Sequence, residues 1–252
     1  MPVLGLVTIG SLIIIVDQIK EIIMKKIIFW TTLISVLALF IGACAKRDDT
    51  TITATAVTCD MTASGSITVG SETVSSSYLM ETYPPVDPET GCMDMTGRST
   101  EGLPTGTQSI KQERIIKSST SFVDYSGYFS DTACTSVISY QYQKYSSLSV
   151  GDQVSGLSTS GGRPSSAYKV TYKSDCATAK GETDAGTELL NYYYSNTGVY
   201  LTTGTEQTFS TETTQSTYNI WAAGNSGNSF YSGSAGTVYP SDWATNDTTY
   251  VK

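Results

Sequence analysis

At 252 residues, 39% of them hydrophobic and 15% charged, the chain is long enough to bury a sizeable core and too apolar to remain disordered. Lys and Arg number 15 against 23 Asp and Glu, a net charge of −8 with no basic run past residue 47, so nucleic acid is excluded as the expected partner. No histidine occurs, which removes Ser-His-Asp and Cys-His catalysis and every imidazole metal site.

Residues 1–23 come first, with an apolar stretch from Val3 to Val16, no Lys or Arg ahead of it, and Asp17 and Glu21 behind. At about 14 residues that stretch is shorter than the roughly 20 needed to span a bilayer, and 1–23 reads as an upstream extension with Met24 as the start. From Met24 the chain runs MKKIIFWTTLISVLALFIGAC: two lysines, an apolar segment from Ile27 to Ile41, then small residues. This is the layout of a secretory signal peptide, over 24–43. Its end, Ile41-Gly42-Ala43-Cys44, resembles the lipobox of bacterial lipoproteins, in which the signal is cut before the cysteine. The resemblance implies that Cys44 carries acyl chains such as palmitate and anchors the protein to a membrane. Ala45, where inner-membrane lipoproteins of enterobacteria often carry Asp, implies an outer-membrane address, on the periplasmic or the surface face.

Residues 44–64, rich in Thr, Ala and Asp, read as the lipidated cysteine and a flexible tether, and 65–252 as a single domain. Beyond Cys44 an even four cysteines remain, Cys59, Cys92, Cys134 and Cys176, with no C-x-x-C pair. In an exported chain they predict two disulfides and no metal. Of the three connectivities, the sequential one, Cys59 with Cys92 and Cys134 with Cys176, is expected because it staples neighbouring segments of a meandering sheet.

The domain itself is a succession of short alternating segments. Ala167–Ser174 places Tyr168, Val170 and Tyr172 on one face and Lys169, Thr171 and Lys173 on the other; Ser136–Tyr145 alternates likewise. Further strands are expected at 66–69, 72–82, 109–117, 121–129, 188–194, 198–202, 207–213, 217–222 and 229–232. Turns are expected at 149–152, 160–164, 195–198 and 224–228. No segment after residue 45 sustains helical spacing over three turns. The fold class predicted is therefore all-β, an antiparallel meander forming a barrel or a sandwich, preceded by the hydrophobic signal segment.

Tyr125–Tyr142, YSGYFSDTACTSVISYQY, with its D-x-x-C turn, and Gly227–Trp243, GNSFYSGSAGTVYPSDW, are similar to elements of small lipocalin-like (calycin-type) secreted lipoproteins. That resemblance implies a closed barrel with a central cavity. The Gly-x-Trp of lipocalins is missing near the first strand, the tryptophans being Trp30, Trp221 and Trp243.

Catalysis finds little footing. Ser166-Ala167-Tyr168-Lys169 matches S-x-x-K, but on an alternating strand and without S-D-N or K-T-G companions. The carboxylates Asp87, Glu89 and Asp94, and again Glu182, Asp184 and Glu188, fall in expected loops, where solvated charge accounts for them. No enzyme activity, cofactor or metal is expected. Among 17 tyrosines, adjacent Tyr192, Tyr193 and Tyr194 cannot all face a core, and with Tyr218 and Trp221 they are the candidate ligand- or partner-binding aromatics. Two functions follow: a lipid-anchored carrier of a small apolar ligand or lipid, with a hollow barrel, or an envelope interaction module with a filled core that binds a protein or glycan. A carboxylate-using enzyme comes third.

Overall fold

The alternating segments pair as their periodicity requires. The computed structural model describes residues 59–81, 87–244 and 247–252. The expectations for the extension, the signal peptide, Cys44 and most of the tether lie outside the described residues.

Among the described residues, twelve strands and one α-helix follow in chain order: β1 (Ser66–Val69), β2 (Glu72–Ser75), β3 (Ser77–Glu81), β4 (Cys92–Asp94), β5 (Ser109–Ser118), β6 (Ser121–Phe129), β7 (Val137–Ser155), β8 (Ser166–Gly181), α1 (Asp184–Tyr193), β9 (Gln207–Ser210), β10 (Thr217–Gly224), β11 (Ser229–Ser232) and β12 (Thr248–Val251). Eight of them close an antiparallel barrel in the order β3, β5, β6, β7, β8, β10, β11, β12 and back to β3. The barrel thus runs up and down in chain order. It shuts where Tyr250 of β12 faces Met80 of β3. Of the two all-β arrangements expected, the barrel is the one formed.

Alternation sends one side chain in two to the barrel axis. Ile116, Phe122, Val170, Tyr172, Trp221, Phe230 and Tyr250 meet there in one buried cluster. The Phe122 ring lies 5.1 Å from Trp221 edge-on and 4.8 Å from Tyr145 in a stack, and Trp221 meets Phe230 at 4.8 Å. Such pairs contribute about 0.5–1.5 kcal/mol each beyond their burial.

The hairpin of β1 and β2 is a separate two-stranded sheet, not hydrogen-bonded into the barrel wall. Its alternation delivers Ile67, Val69 and Val74, all 2% exposed or less, into the same cluster. It stoppers the end where β10 turns into β11, with Thr73 against the backbone of Gly227. The hairpin turns on Gly70, at φ +67°, where a Cβ would stand 2.5 Å from the Tyr168 ring, so no other residue fits without displacing that ring.

β8 serves two partners: Tyr168–Tyr172 pair with β10, and Cys176–Ala179 with β9. Over the second half packs α1, whose Leu190 meets Ala177, Ala179, Tyr194, Leu201 and Phe209. Thr183 caps the helix, accepting from the Gly186 amide at 3.1 Å. Gly186 lets it approach closely, since a Cβ would stand 2.4 Å from the Ile138 carbonyl oxygen.

Several expectations are corrected here. The segment 188–194, read as a strand, is mostly helix, and 198–202 is irregular. At 10 residues α1 is under three turns, and its buried face is Gly186, Thr187 and Leu190, so small residues carry the face a hydrophobic pattern would have marked. The segment 72–82 breaks at Ser76, at φ +68°, into β2 and β3. The turn expected at 149–152 is instead a bulge inside β7, between Val150 and Gln153. The short strands β4 and β12 escaped the pattern altogether.

The disulfide pairing is corrected as well: Cys59 joins Cys176 and Cys92 joins Cys134, each with Cα atoms 6.0 Å apart. β4 pairs with the start of β5, and Ser109 of β5 reaches Asp131 and Cys134 in the β6–β7 turn. Cys92 and Cys134 therefore flank the same strand end, which chain order alone does not reveal. Cys59 ties the amino-terminal stretch across to β8. Asp60 pairs with Lys117, and the Ser64 hydroxyl donates to the Lys117 carbonyl at 2.9 Å. The expected tether, 44–64, is thus fastened to the barrel from Cys59 onward.

Candidate functional site

The direction of Tyr168, Val170 and Tyr172 separates a hollow barrel from a filled one. All three point inward as their alternation predicts, Val170 and Tyr172 are buried, and Tyr168 packs against the cluster beside the stopper hairpin. Side chains occupy the interior around them.

The candidate aromatics scatter. Trp221 is fully buried at the barrel centre and Tyr194 is buried under α1, so neither presents a binding surface, contrary to expectation. Each follows from register: Trp221 shares an inward face with the aromatic cluster, and Tyr194 ends the helix over Phe209, rings 4.8 Å apart. Tyr218 is half-buried, its ring edge-on to Tyr239 at 4.9 Å. Tyr192 and Tyr193 remain exposed, at 76% and 44%. Tyr192 borders a cleft of about 280 Å³ with Leu103, Pro104, Ala185 and Leu189. The Tyr193 hydroxyl bonds toward Tyr128, whose phenol burial pushes up, with help from Tyr193 itself.

The carboxylates do not converge. Asp87 accepts from the Glu89 amide and Asp94 from the Thr96 amide; the Glu89 amide holds Asp87, and the Thr96 hydroxyl and then its amide hold Asp94, below the usual range. Glu182 pairs with Lys180 at 2.6 Å, and Asp184 accepts from the Thr203 hydroxyl at 2.8 Å. Asp131 of the D-x-x-C turn gathers the amides of Ala133, Thr135 and Ser136 and is strongly depressed by the Thr135 amide first of all. Among the described residues no group of three or more His, Cys, Asp and Glu could hold a metal, and no helix is long and apolar enough to cross a membrane.

A site that sequence reasoning missed lies at the mouth opposite the stopper. Arg114 of β5 sits opposite Asp124 of β6, one pair from Ile116 and Phe122 on the same inward face. Its Nε and Nη2 donate to the two Asp124 oxygens at 2.7 and 2.8 Å, a bidentate fork. The Arg114 side chain is 6% exposed, that of Asp124 30%. Burial disfavours the Arg114 charge, but the facing Asp124 outweighs it and the net shift is upward, so the guanidinium stays charged. Phe122 and Tyr250 lie 4.6 Å from its Cζ, Trp221 5.2 Å and Phe230 5.7 Å. The pair opens onto a polar pocket of about 250 Å³, bounded by Tyr145, Tyr172, Tyr250, Asn219 and Asp247 among others. Burial pushes all three phenols up, so they are neutral hydroxyls at any physiological pH. Two buried donors close to this pair, Arg114 Nη1 and Trp221 Nε1, have no partner among the described residues. The signal was present in the sequence, since Arg114 falls on the Ile116 face of an alternating strand, where a cation is costly unless paired.

No family model matches this chain, and neither does any curated protein.

Proposed function

We propose that this protein is a non-catalytic, lipid-anchored envelope interaction module: an exported barrel, held to a membrane through Cys44, that displays a rigid surface to a protein or glycan partner. The observation that carries the reading is the filled interior, with Trp221, Phe122, Phe230, Tyr78 and the hairpin residues Ile67, Val69 and Val74 packed where an apolar ligand would otherwise lie. A carrier needs a concave apolar site of several hundred Å³. The mouth pocket is smaller and bounded by charged and hydroxyl groups.

The signal-like layout of residues 24–43 and the Cys44 lipobox support the anchor, and two disulfides accord with export. Fourteen residues, 45–58, then separate the lipid from the first disulfide. On the barrel, exposed Tyr192 beside the cleft at Leu103 and Pro104 is the surface best suited to a partner.

Mass spectrometry of the protein extracted from its own membrane, native and denatured, tests this. The denatured mass is expected to begin at Cys44, carry acyl chains and include two disulfides. A mass beginning at Met1 or Met24 would overturn the anchor. An apolar adduct present in the native spectrum and lost on denaturation would overturn the module in favour of the carrier.

A further inference from the structure

Beneath the mouth of the barrel two buried donors lack a protein partner among the described residues. Arg114 has three nitrogens in its fork; Asp124 takes Nε and Nη2, and Nη1, fully removed from solvent, has no partner. Trp221 Nε1, in the ring 5.2 Å from the same guanidinium carbon, is a second orphan. A buried donor without an acceptor costs about 1–3 kcal/mol, so native structures seldom leave one without cause. The surrounding ring faces are weaker acceptors than an oxygen.

The pocket above supplies complementary groups. Its walls carry the neutral phenols of Tyr145, Tyr172 and Tyr250, each able to donate and accept, and its floor carries Asp124, whose side chain is 30% exposed and accepts only. Its rim includes Asp247, with one oxygen held by the Ser234 hydroxyl at 2.7 Å and the other by the Ala244 amide at 2.6 Å. Formal charge in the site is therefore one cation against two carboxylates. An anion would meet Asp124 and Asp247, and a cation would meet a guanidinium that cannot lose its proton. A neutral molecule bearing several hydroxyls avoids both conflicts, offering an oxygen to the edge of Arg114 that lines the pocket and a proton to Asp124 while its ring lies against tyrosine. A volume of about 250 Å³ suits one sugar-sized ring, not a lipid tail.

We infer that the barrel mouth is a binding site for a neutral, polyhydroxylated molecule of monosaccharide size, held by the Arg114–Asp124 pair and the Tyr145, Tyr172 and Tyr250 hydroxyls. The site is independent of the lipid anchor and of the surface at Tyr192, so the failure of either leaves it standing.

Saturation-transfer NMR on the full chain, extracted in a non-glycosidic detergent, tests it with four probes: glucose, N-acetylglucosamine, glucuronate and glucosamine. At least one neutral sugar is expected to saturate at millimolar concentration, with both charged sugars at least tenfold weaker. Ala235, exposed on the rim, offers a way to block the mouth without touching the core. Ala235→Trp is expected to lose the signal at an unchanged melting temperature. Absence of binding by both neutral sugars would overturn the inference, as would a charged sugar binding equally well or undiminished binding by Ala235→Trp.

Discussion

The two ends of the barrel are built on opposite principles. At the stoppered end, Ile67, Val69 and Val74 enter on a hairpin and bring only apolar side chains, each contributing about 1.5–3 kcal/mol through burial. At the mouth, the same aromatic cluster is approached by a buried Arg114 and an Asp124 whose side chain is 30% exposed, with two unpartnered donors beneath them. Both ends share Trp221 and Phe230, so core packing alone does not set them apart. The lesson is that one end is satisfied by shape and the other by charge, and only the second leaves chemistry over for a ligand.

The largest effect should come from unfastening the stopper. Replacing Cys59 and Cys176 by Ser opens a loop of 117 residues and is expected to cost about 5 kcal/mol in the chain-entropy account. Amide exchange should then rise at 66–75 before it rises in β10, which separates the stopper from the barrel wall.

Next comes the mouth. Asp124→Ala leaves the Arg114 charge buried and unpaired, an expected loss of about 3–5 kcal/mol in denaturant unfolding. Changing the pair together, Arg114→Met with Asp124→Leu, should recover most of that loss. If the double variant is no more stable than Asp124→Ala, the mouth is not held by charge pairing. Away from both ends, Thr183→Ala removes the cap of α1 and should cost about 1 kcal/mol, with the barrel strands unaffected.

Acid should act on two carboxylates outside the barrel wall. Asp60 is lowered to about 2, chiefly by its hydrogen bond from Lys117, and Asp131 is lowered by the Thr135 amide. Unfolded, both titrate near 3.9. Their stabilisation is therefore complete above about pH 4 and is lost as pH falls through the folded values. Asp131→Asn should make the acid limb of a stability profile shallower over that interval. The smallest effect belongs to Tyr192→Ala, expected to move stability by less than about 0.5 kcal/mol while weakening partner capture.

Much of the wall was legible because alternation is a local signal: β1, β6 and β11 have the bounds expected, and Tyr168, Val170 and Tyr172 share the inward face they were assigned. What hid was non-local or small. The pairing of Cys92 with Cys134 depends on β4 lying beside β5, and β4 is three residues long. The helix α1 escaped because its buried face rests on Gly186 and Thr187 as much as on Leu190. The aromatic site expected at Trp221 and Tyr194 dissolved into core packing, since a ring's face is set by register and an adjacent run of tyrosines does not announce a helix. Arg114 was readable in principle, as a cation in phase with Ile116, but its partner Asp124 emerges only once the β5–β6 turn fixes the pairing.

The most direct test of the filled barrel uses its central ring. Trp221 is buried at the barrel centre, so its fluorescence reports on what enters. A titration of the full chain with a fluorescent fatty acid should produce no saturable quenching or energy transfer from tryptophan. Saturable one-to-one quenching that persists when Trp30 and Trp243 are both changed to Phe, leaving Trp221 as the sole tryptophan, would show a ligand lodged beside Trp221 and would contradict the account.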